Sequence, residues 1–253
     1  MAEREGREEG AGINREARDD GSRRRALHLS FLIRRRQVWL PTLWGWLVLC
    51  LLGALTAVAL ALGANDFLAP NEPARGRDGS GARTLVVEGW LDAPEIAQAV
   101  AAFRRGRYAR VLTTGGPIEP WSDIGGWQNY AVRGAAYLRR HGLTEVPIIA
   151  VPAPETQQDR SYLSALMVRE WAEQSGTKLE AIDLFSAGVH ARRSRWVYRM
   201  ALGGDVEVGV FAAVPKEFDA EHWWRTSSGT KTTLGEAISL LWTGCCFWPP
   251  APQ

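Results

Sequence analysis

Residues 179–214 read LEAIDLFSAGVHARRSRWVYRMALGGDVEVGVFAAV. A short apolar run over 179–185 breaks at Ser186-Ala187-Gly188. Residues 189–202 then read as a helix, stopped by Gly203-Gly204, and 206–214 as a second apolar, β-branched strand. Strand, helix and strand with breakers at both joins is the signature of a βαβ unit, whose two strands lie parallel in one sheet.

The same alternation extends upstream. Residues 84–87 form a β-branched run stopped by Glu88-Gly89. A helix over 94–105 carries Ile96, Ala97, Val100, Ala101 and Phe103 at helical spacing, with Asp92 placed to cap it and Gly106 to end it. A strand over 110–114 stops at Gly115-Gly116-Pro117. A loop with Trp121, Asp123 and Gly125-Gly126 leads to a helix over 127–140, ended by His141-Gly142. A strand over 147–151 and a helix over 158–173 follow, and a last helix is expected over 232–242. Five short strands interleaved with helices predict a mainly parallel five-stranded sheet covered on both faces. That is a Rossmann-like three-layer α/β sandwich over residues 84–242, with 243–253 as a tail.

The N-terminal third sets location. Residues 1–36 read as a disordered, basic cytoplasmic segment with two arginine triplets, Arg23-Arg24-Arg25 and Arg34-Arg35-Arg36, and no acid between them. Segment 1–22 lacks the apolar residues to offset its ordering entropy and reads as disordered. Residues 37–65 then hold 29 positions without a charge, and roughly 20 apolar residues suffice to cross a bilayer. This predicts one transmembrane helix. The six arginines before it place the N-terminus in the cytoplasm and the rest outside. Trp39, Trp44 and Trp46 sit at the arginine end, at the depth amphipathic rings prefer. The apolar stretch is longer than the 7–15 residues of a signal-peptide core, so an uncleaved anchor is expected. Residues 66–83, rich in Gly, Pro and charge, read as a flexible linker.

Composition narrows the function classes. Apolar residues are 46% and charged residues 23% of the 253, which excludes wholesale disorder. The net charge of +2 gives no electrostatic case for nucleic acid, and only the N-terminal segment carries a basic cluster. Three cysteines build no disulfide framework. Cys245-Cys246 reads either as a vicinal disulfide or as two thiols near the chain end. The four His are scattered and no metal is expected. No dinucleotide, P-loop or Gly-x-Ser-x-Gly motif is present. No cofactor is indicated.

In an open parallel sheet, ligands bind beyond the carboxyl ends of the strands. The residues there are Glu88 and Gly89, then Thr114, Gly115 and Gly116, then Glu155, Asp159 and Arg160, then Ser186, His190 and Arg193. His190 and Arg193 stand three residues apart on one helix face, beside a helix N-terminus, which suits a phosphate or carboxylate. Gly115-Gly116 supplies backbone donors or an ordinary turn. Glu88 and Glu155 are the candidate acid–base pair, or else each pairs with an arginine such as Arg160 or Arg193. Asp159-Arg160 also fits a cap and brace for the third helix. Trp223-Trp224, Trp242 and Trp248 either touch lipid or glycan or pack the C-terminal segment over the sheet edge.

Over residues 84–214 the chain resembles the YdcF-like domain of the DUF218 superfamily, the SanA- and ElyC-like bacterial envelope proteins. Thr114-Gly115-Gly116, Glu155, and Ser186 followed by His190-Ala191-Arg192-Arg193 carry the resemblance. Glu88 before a single Gly89, and Leu163-Ser164 in place of a Glu-Asn pair, depart from the family pattern. The resemblance implies a bacterial inner-membrane anchor, an extracytoplasmic domain and a part in cell-envelope maintenance. Two function classes follow. One is binding of an anionic, phosphate-bearing small molecule or lipid-linked precursor. The other is an enzyme, a transferase or hydrolase, acting on such a molecule.

Overall fold

The computed structural model describes residues 40–76, 79–119 and 126–249. The arginine triplets, Trp39, Trp121, Asp123 and Gly125 lie outside the described residues. The chain divides into two units, Met1–Gly53 and Ala54–Gln253. Helix α1, Leu43–Leu68, crosses that division. At 26 residues and 1.5 Å per residue it is about 39 Å long, and it is long and apolar enough to cross a membrane, with its apolar window wholly unburied. It starts later and ends later than residues 37–65.

The second unit holds strands β1 (Thr84–Glu88), β2 (Arg110–Gly115), β3 (Ile148–Pro152), β4 (Ala181–Ala187) and β5 (Glu207–Ala213). Helices α2 (Ala93–Arg105), α3 (Tyr130–Arg140), α4 (Arg160–Gln174), α5 (Ala191–Leu202) and α6 (Ser227–Cys245) complete it. All pairings are parallel, in the order β3-β2-β1-β4-β5. The expected Rossmann-like sandwich is therefore present. Strand residues alternate between two cores. Leu85, Val87, Val111 and Phe185 pack on Ile96, Ala99, Phe103, Ala135 and Leu138. Val86, Leu112, Ile182 and Leu184 pack on Ala165, Val168, Val197, Tyr198 and Ala201. This period-two division is what buries both faces.

Most boundaries move because caps decide them. Asp92 caps α2 in a full capping box with Glu95, as its position suggested. Helix α3 starts at Tyr130, where Asn129 accepts from the Val132 N–H. Helix α6 starts five residues before the expected 232, because Thr226 accepts from the Gly229 N–H. It also runs beyond 242, and Cys245 and Cys246 at its end are disulfide-linked to each other. Asp159 does not cap α4 with its side chain; it sits at φ 54° with no cap hydrogen bond.

Residues 66–83 are not a free linker. The first three belong to α1. Residues 71–76 run antiparallel along β5, where Glu72 and Val210 exchange backbone hydrogen bonds of 2.9 Å. The Ala74 N–H donates to Asp183 Oδ1 at 2.7 Å, and the N–H groups of Arg75 and Gly76 donate to the Glu207 carboxylate. Tyr108 donates to the other Asp183 oxygen at 2.7 Å. Composition describes side chains, whereas these backbone groups fasten the segment. The strap also covers the exposed edge of β5, which would otherwise offer unpaired groups to another chain.

Gly209 is where the strap comes closest. A Cβ there would stand 2.1 Å from both Ala74 N and Asp183 Oδ1. Gly209→Ala is therefore expected to destabilise the protein by about 2 kcal/mol, read as a lowered melting temperature of the detergent-solubilised chain. An unchanged melt would show that the strap does not hold this edge.

Candidate functional site

The strand order reverses between β1 and β4, which are neighbours in the sheet but connect outward in opposite directions. A crevice at the carboxyl ends of such a pair is where open α/β sheets bind ligands. β1 ends in Glu88 and β4 in Ser186-Ala187. Glu88 is 2% exposed. It accepts hydrogen bonds from Ser186 Oγ at 2.6 Å and from Ser194 Oγ of α5 at 2.9 Å. Beside it, Thr114 Oγ1 and the Tyr198 hydroxyl lie 3.1 Å apart. Burial, with the nearby Glu88 carboxylate, pushes the Tyr198 phenol far up, so it stays protonated. Among the described residues no arginine bonds Glu88; the two serine hydroxyls satisfy it instead. These residues form a buried polar cluster at the carboxyl ends of β1 and β4.

Beyond this cluster, Gly188–His190 makes a 3-10 turn that feeds α5. His190 Nδ1 lies 2.9 Å from Glu236 Oε1, and Arg193 Nε donates to Glu236 Oε2 at 2.8 Å. Arg193 Nη2 reaches Glu236 Oε1 at 3.2 Å and stands 2.9 Å from His190 Nδ1. That ring nitrogen can donate to the carboxylate or accept from the guanidinium, but not both at once. Arg193 faces Glu236 through Nε and Nη2, so Nη1 keeps its N–H groups without a protein partner among the described residues. The other ring nitrogen, His190 Nε2, is buried with no hydrogen-bond partner among them, as is Thr233 Oγ1. Trp90, just after β1, meets the His190 ring edge-on at 5.2 Å, which joins the end of β1 to the turn after β4. Burial pushes the Glu236 carboxyl up, but hydrogen bonds from His190 and Arg193 and their charges outweigh it and hold the pKa at about 2.

The structure thus brings together Glu88, Ser186, His190 and Arg193. The remaining candidates stand on the β2 and β3 side. Gly89 is a packing position: a Cβ there would lie 2.2 Å from the Tyr130 carbonyl oxygen. Its N–H donates to the Thr114 carbonyl. Gly115, at φ 146°, is pressed against Tyr130, and Gly116 accepts from the Tyr130 N–H. Glu155 is exposed. Arg160 makes an exposed ion pair with Glu119 at 3.7 Å. Asp159 is exposed in its left-handed conformation.

Three residues of the site, Ser194, Tyr198 and Glu236, escaped the sequence reading, whereas Trp90 stood at the strand end it singled out. Ser194 and Tyr198 stand four and eight residues after His190, and that helical spacing points back to the strand end. Trp90 follows the strand-end Glu88-Gly89 directly. Glu236 comes from a helix more than forty residues away, and no local signal marks it. Two cavities of about 340 and 430 Å³ lie elsewhere, at the amino edge of the sheet around Gly203–Glu207 and Tyr108–Asp183. They hold less of the convergent chemistry than the carboxyl ends of β1 and β4, and Asp183 there is already bonded to Ala74 and Tyr108. Among the described residues no group of three or more His, Cys, Asp or Glu could hold a metal ion.

No protein-family model matches the chain, and no curated protein matches it. The YdcF-like resemblance rests on the residues quoted above.

Glu236 couples the site to stability. Its folded pKa of about 2 lies below its ordinary 4.5. The group therefore stabilises the fold above pH 4.5, and that contribution fades as pH falls from 4.5 toward 2. The shift corresponds to on the order of 3 kcal/mol. Glu236→Gln is expected to melt lower than wild type at pH 7, with the gap closing toward pH 2. A gap that stays constant with pH would place the charge of Glu236 outside this network.

Proposed function

We propose that the chain is a single-pass, membrane-anchored protein of the YdcF-like kind whose α/β domain binds an anionic, phosphate-bearing ligand in the crevice between β1 and β4. The observation that carries this is the pairing of His190 and Arg193 at the end of β4. Glu236 fixes the guanidinium side-on and leaves Nη1 for a ligand. The first N–H groups of the helix add partial positive charge there. Glu236 acts as an orienting carboxylate, so the arginine is held in place before the ligand arrives. Lipid-linked phosphates fit the position of the site. Leu68, the last residue of α1, is buried against Val189, the neighbour of His190.

The N-terminus is proposed to lie in the cytoplasm and the α/β domain outside it, with a role in the bacterial cell envelope. Six arginines precede the apolar run. The Cys245–Cys246 disulfide agrees with an oxidising compartment. A reporter active only in the periplasm, fused at Gln253, is expected to be active. Activity of a cytoplasm-only reporter at the same position would reverse the orientation.

A second reading, a hydrolase or transferase on the same ligand, is favoured by His190. When Nδ1 donates to Glu236, the buried Nε2 holds a lone pair with no protein partner among the described residues, the arrangement of an oriented general base once a ligand displaces what covers it. Glu88, buried and bonded to two serines, and exposed Glu155 suit that role less well.

Both readings are tested on the full chain in micelles, with inorganic phosphate, pyrophosphate and a polyprenyl diphosphate as probes. Arg193→Ala is expected to weaken binding by about 1.5–3 kcal/mol, and Arg193→Lys to restore part of it. Equal binding by wild type and Arg193→Ala would refute the site. Tighter binding of the polyprenyl compound than of pyrophosphate selects the lipid-linked class. Phosphate release by wild type, lost in His190→Gln while binding persists, selects the enzyme.

A further inference from the structure

Helix α6 has two faces. One packs inward: Glu236 reaches His190 and Arg193, and Leu240 is buried with Leu68 and Val189. The other carries Leu234, Ile238, Leu241 and Trp242, at 50%, 67%, 72% and 48% exposure. Their spacing of four, three and one places them on one stripe. Trp248, beyond the helix, is 84% exposed. Such an apolar stripe is costly in water and marks a contact surface.

Contacts with α1 show where this stripe lies. Just before α6, Trp223 Nε1 donates to the Ala61 carbonyl of α1 at 3.0 Å. Leu240, near the end of α6, meets Leu68 at the end of α1. Ala61 and Leu68 are about 10 Å apart along the helix. The uncharged run ends at Asn65, so these contacts bracket the level where α1 passes from hydrocarbon into headgroups. Helix α6 is therefore held at that level, with its stripe turned away from the sheet. The stripe holds no acid, because Glu236 is the only carboxylate of α6 and it faces inward, while Lys231 is exposed. Tryptophan is the side chain most suited to this depth, with an apolar ring and one donor.

We propose that the outward stripe of α6, with Trp242 and Trp248, lies in the headgroup layer of the membrane that α1 crosses, as an in-plane second contact beside the anchor. The proposal rests on α1 being a membrane span and is independent of the anion site. It is tested on the full chain in phosphatidylethanolamine–phosphatidylglycerol bilayers. Nitroxide labels are placed singly by Ile238→Cys, Leu241→Cys, Leu55→Cys and Lys178→Cys, with Cys50, Cys245 and Cys246 replaced by serine. All four positions are exposed, so the labels leave the core intact. Collisions with a water-soluble nickel chelate are expected to be several-fold fewer at 238 and 241 than at 178, with collisions with oxygen raised. Labels at 238 and 241 as open to nickel as 178, while 55 lies in lipid, would overturn the proposal alone. Nickel access at 55 as well would overturn the span beneath it. Dipolar broadening at 238 and 241 that vanishes on dilution with unlabelled chain would assign the stripe to a second copy and overturn the lipid contact.

Discussion

A carboxylate buried at 2% exposure requires hydrogen-bond partners, and Glu88 takes them from two separate elements. Ser186 ends β4 and Ser194 lies on α5, so one side chain of β1 fastens the central strand pair to the helix above it. Tyr198, one turn further along α5, reaches Thr114 and adds β2 to the same cluster. Removing either serine would leave a buried acceptor short of a donor, which costs more than the bond itself contributes. The turn at Gly188–His190 inherits its position from this cluster, and with it the placing of His190 and Arg193.

That placing shapes the electrostatics. An arginine free in water would lose side-chain entropy on meeting an anion. Arg193 has already lost it to Glu236, which fixes the plane of the guanidinium. The same carboxylate lowers the net positive charge beside the guanidinium, so the proposed ligand would have to match its donors in geometry and not merely carry charge. His190, sharing one nitrogen between Glu236 and Arg193, can change which ring nitrogen bears the proton.

Much of the fold was legible because its signals are local. The runs 84–87, 110–114 and 179–185 are largely apolar and bounded by Gly or polar residues, and each became a parallel strand, the last starting at Ala181. Where contacts at long range decide, local reading failed. The segment after α1 looks like a tether by composition, yet Asp183, Glu207 and Val210, far along the chain, hold its backbone. Gly89 stands among the candidate binding residues and Gly115 among the candidate backbone donors, yet both are glycine because α3 begins hard against them. In the site, Ser186, His190 and Arg193 could be found from their place after a strand. Glu236 could not, since only the docking of α6 brings it there.

The strap along β5 also sets how the domain moves. A free linker of this composition over residues 66–83 would let the domain roam through a radius of about 23 Å above its anchor. Fastened from residue 71 onward, the segment leaves only residues 69–70 between the end of α1 and the strap. With α1 in a membrane as proposed, the carboxyl ends of β1 and β4 would stay at one height above it, and encounters there would become two-dimensional. Were α1 to span a membrane and the proposed site to take a ligand, a molecule diffusing laterally in the bilayer would meet it repeatedly, whereas one dissolved in the surrounding fluid would have to descend to that plane.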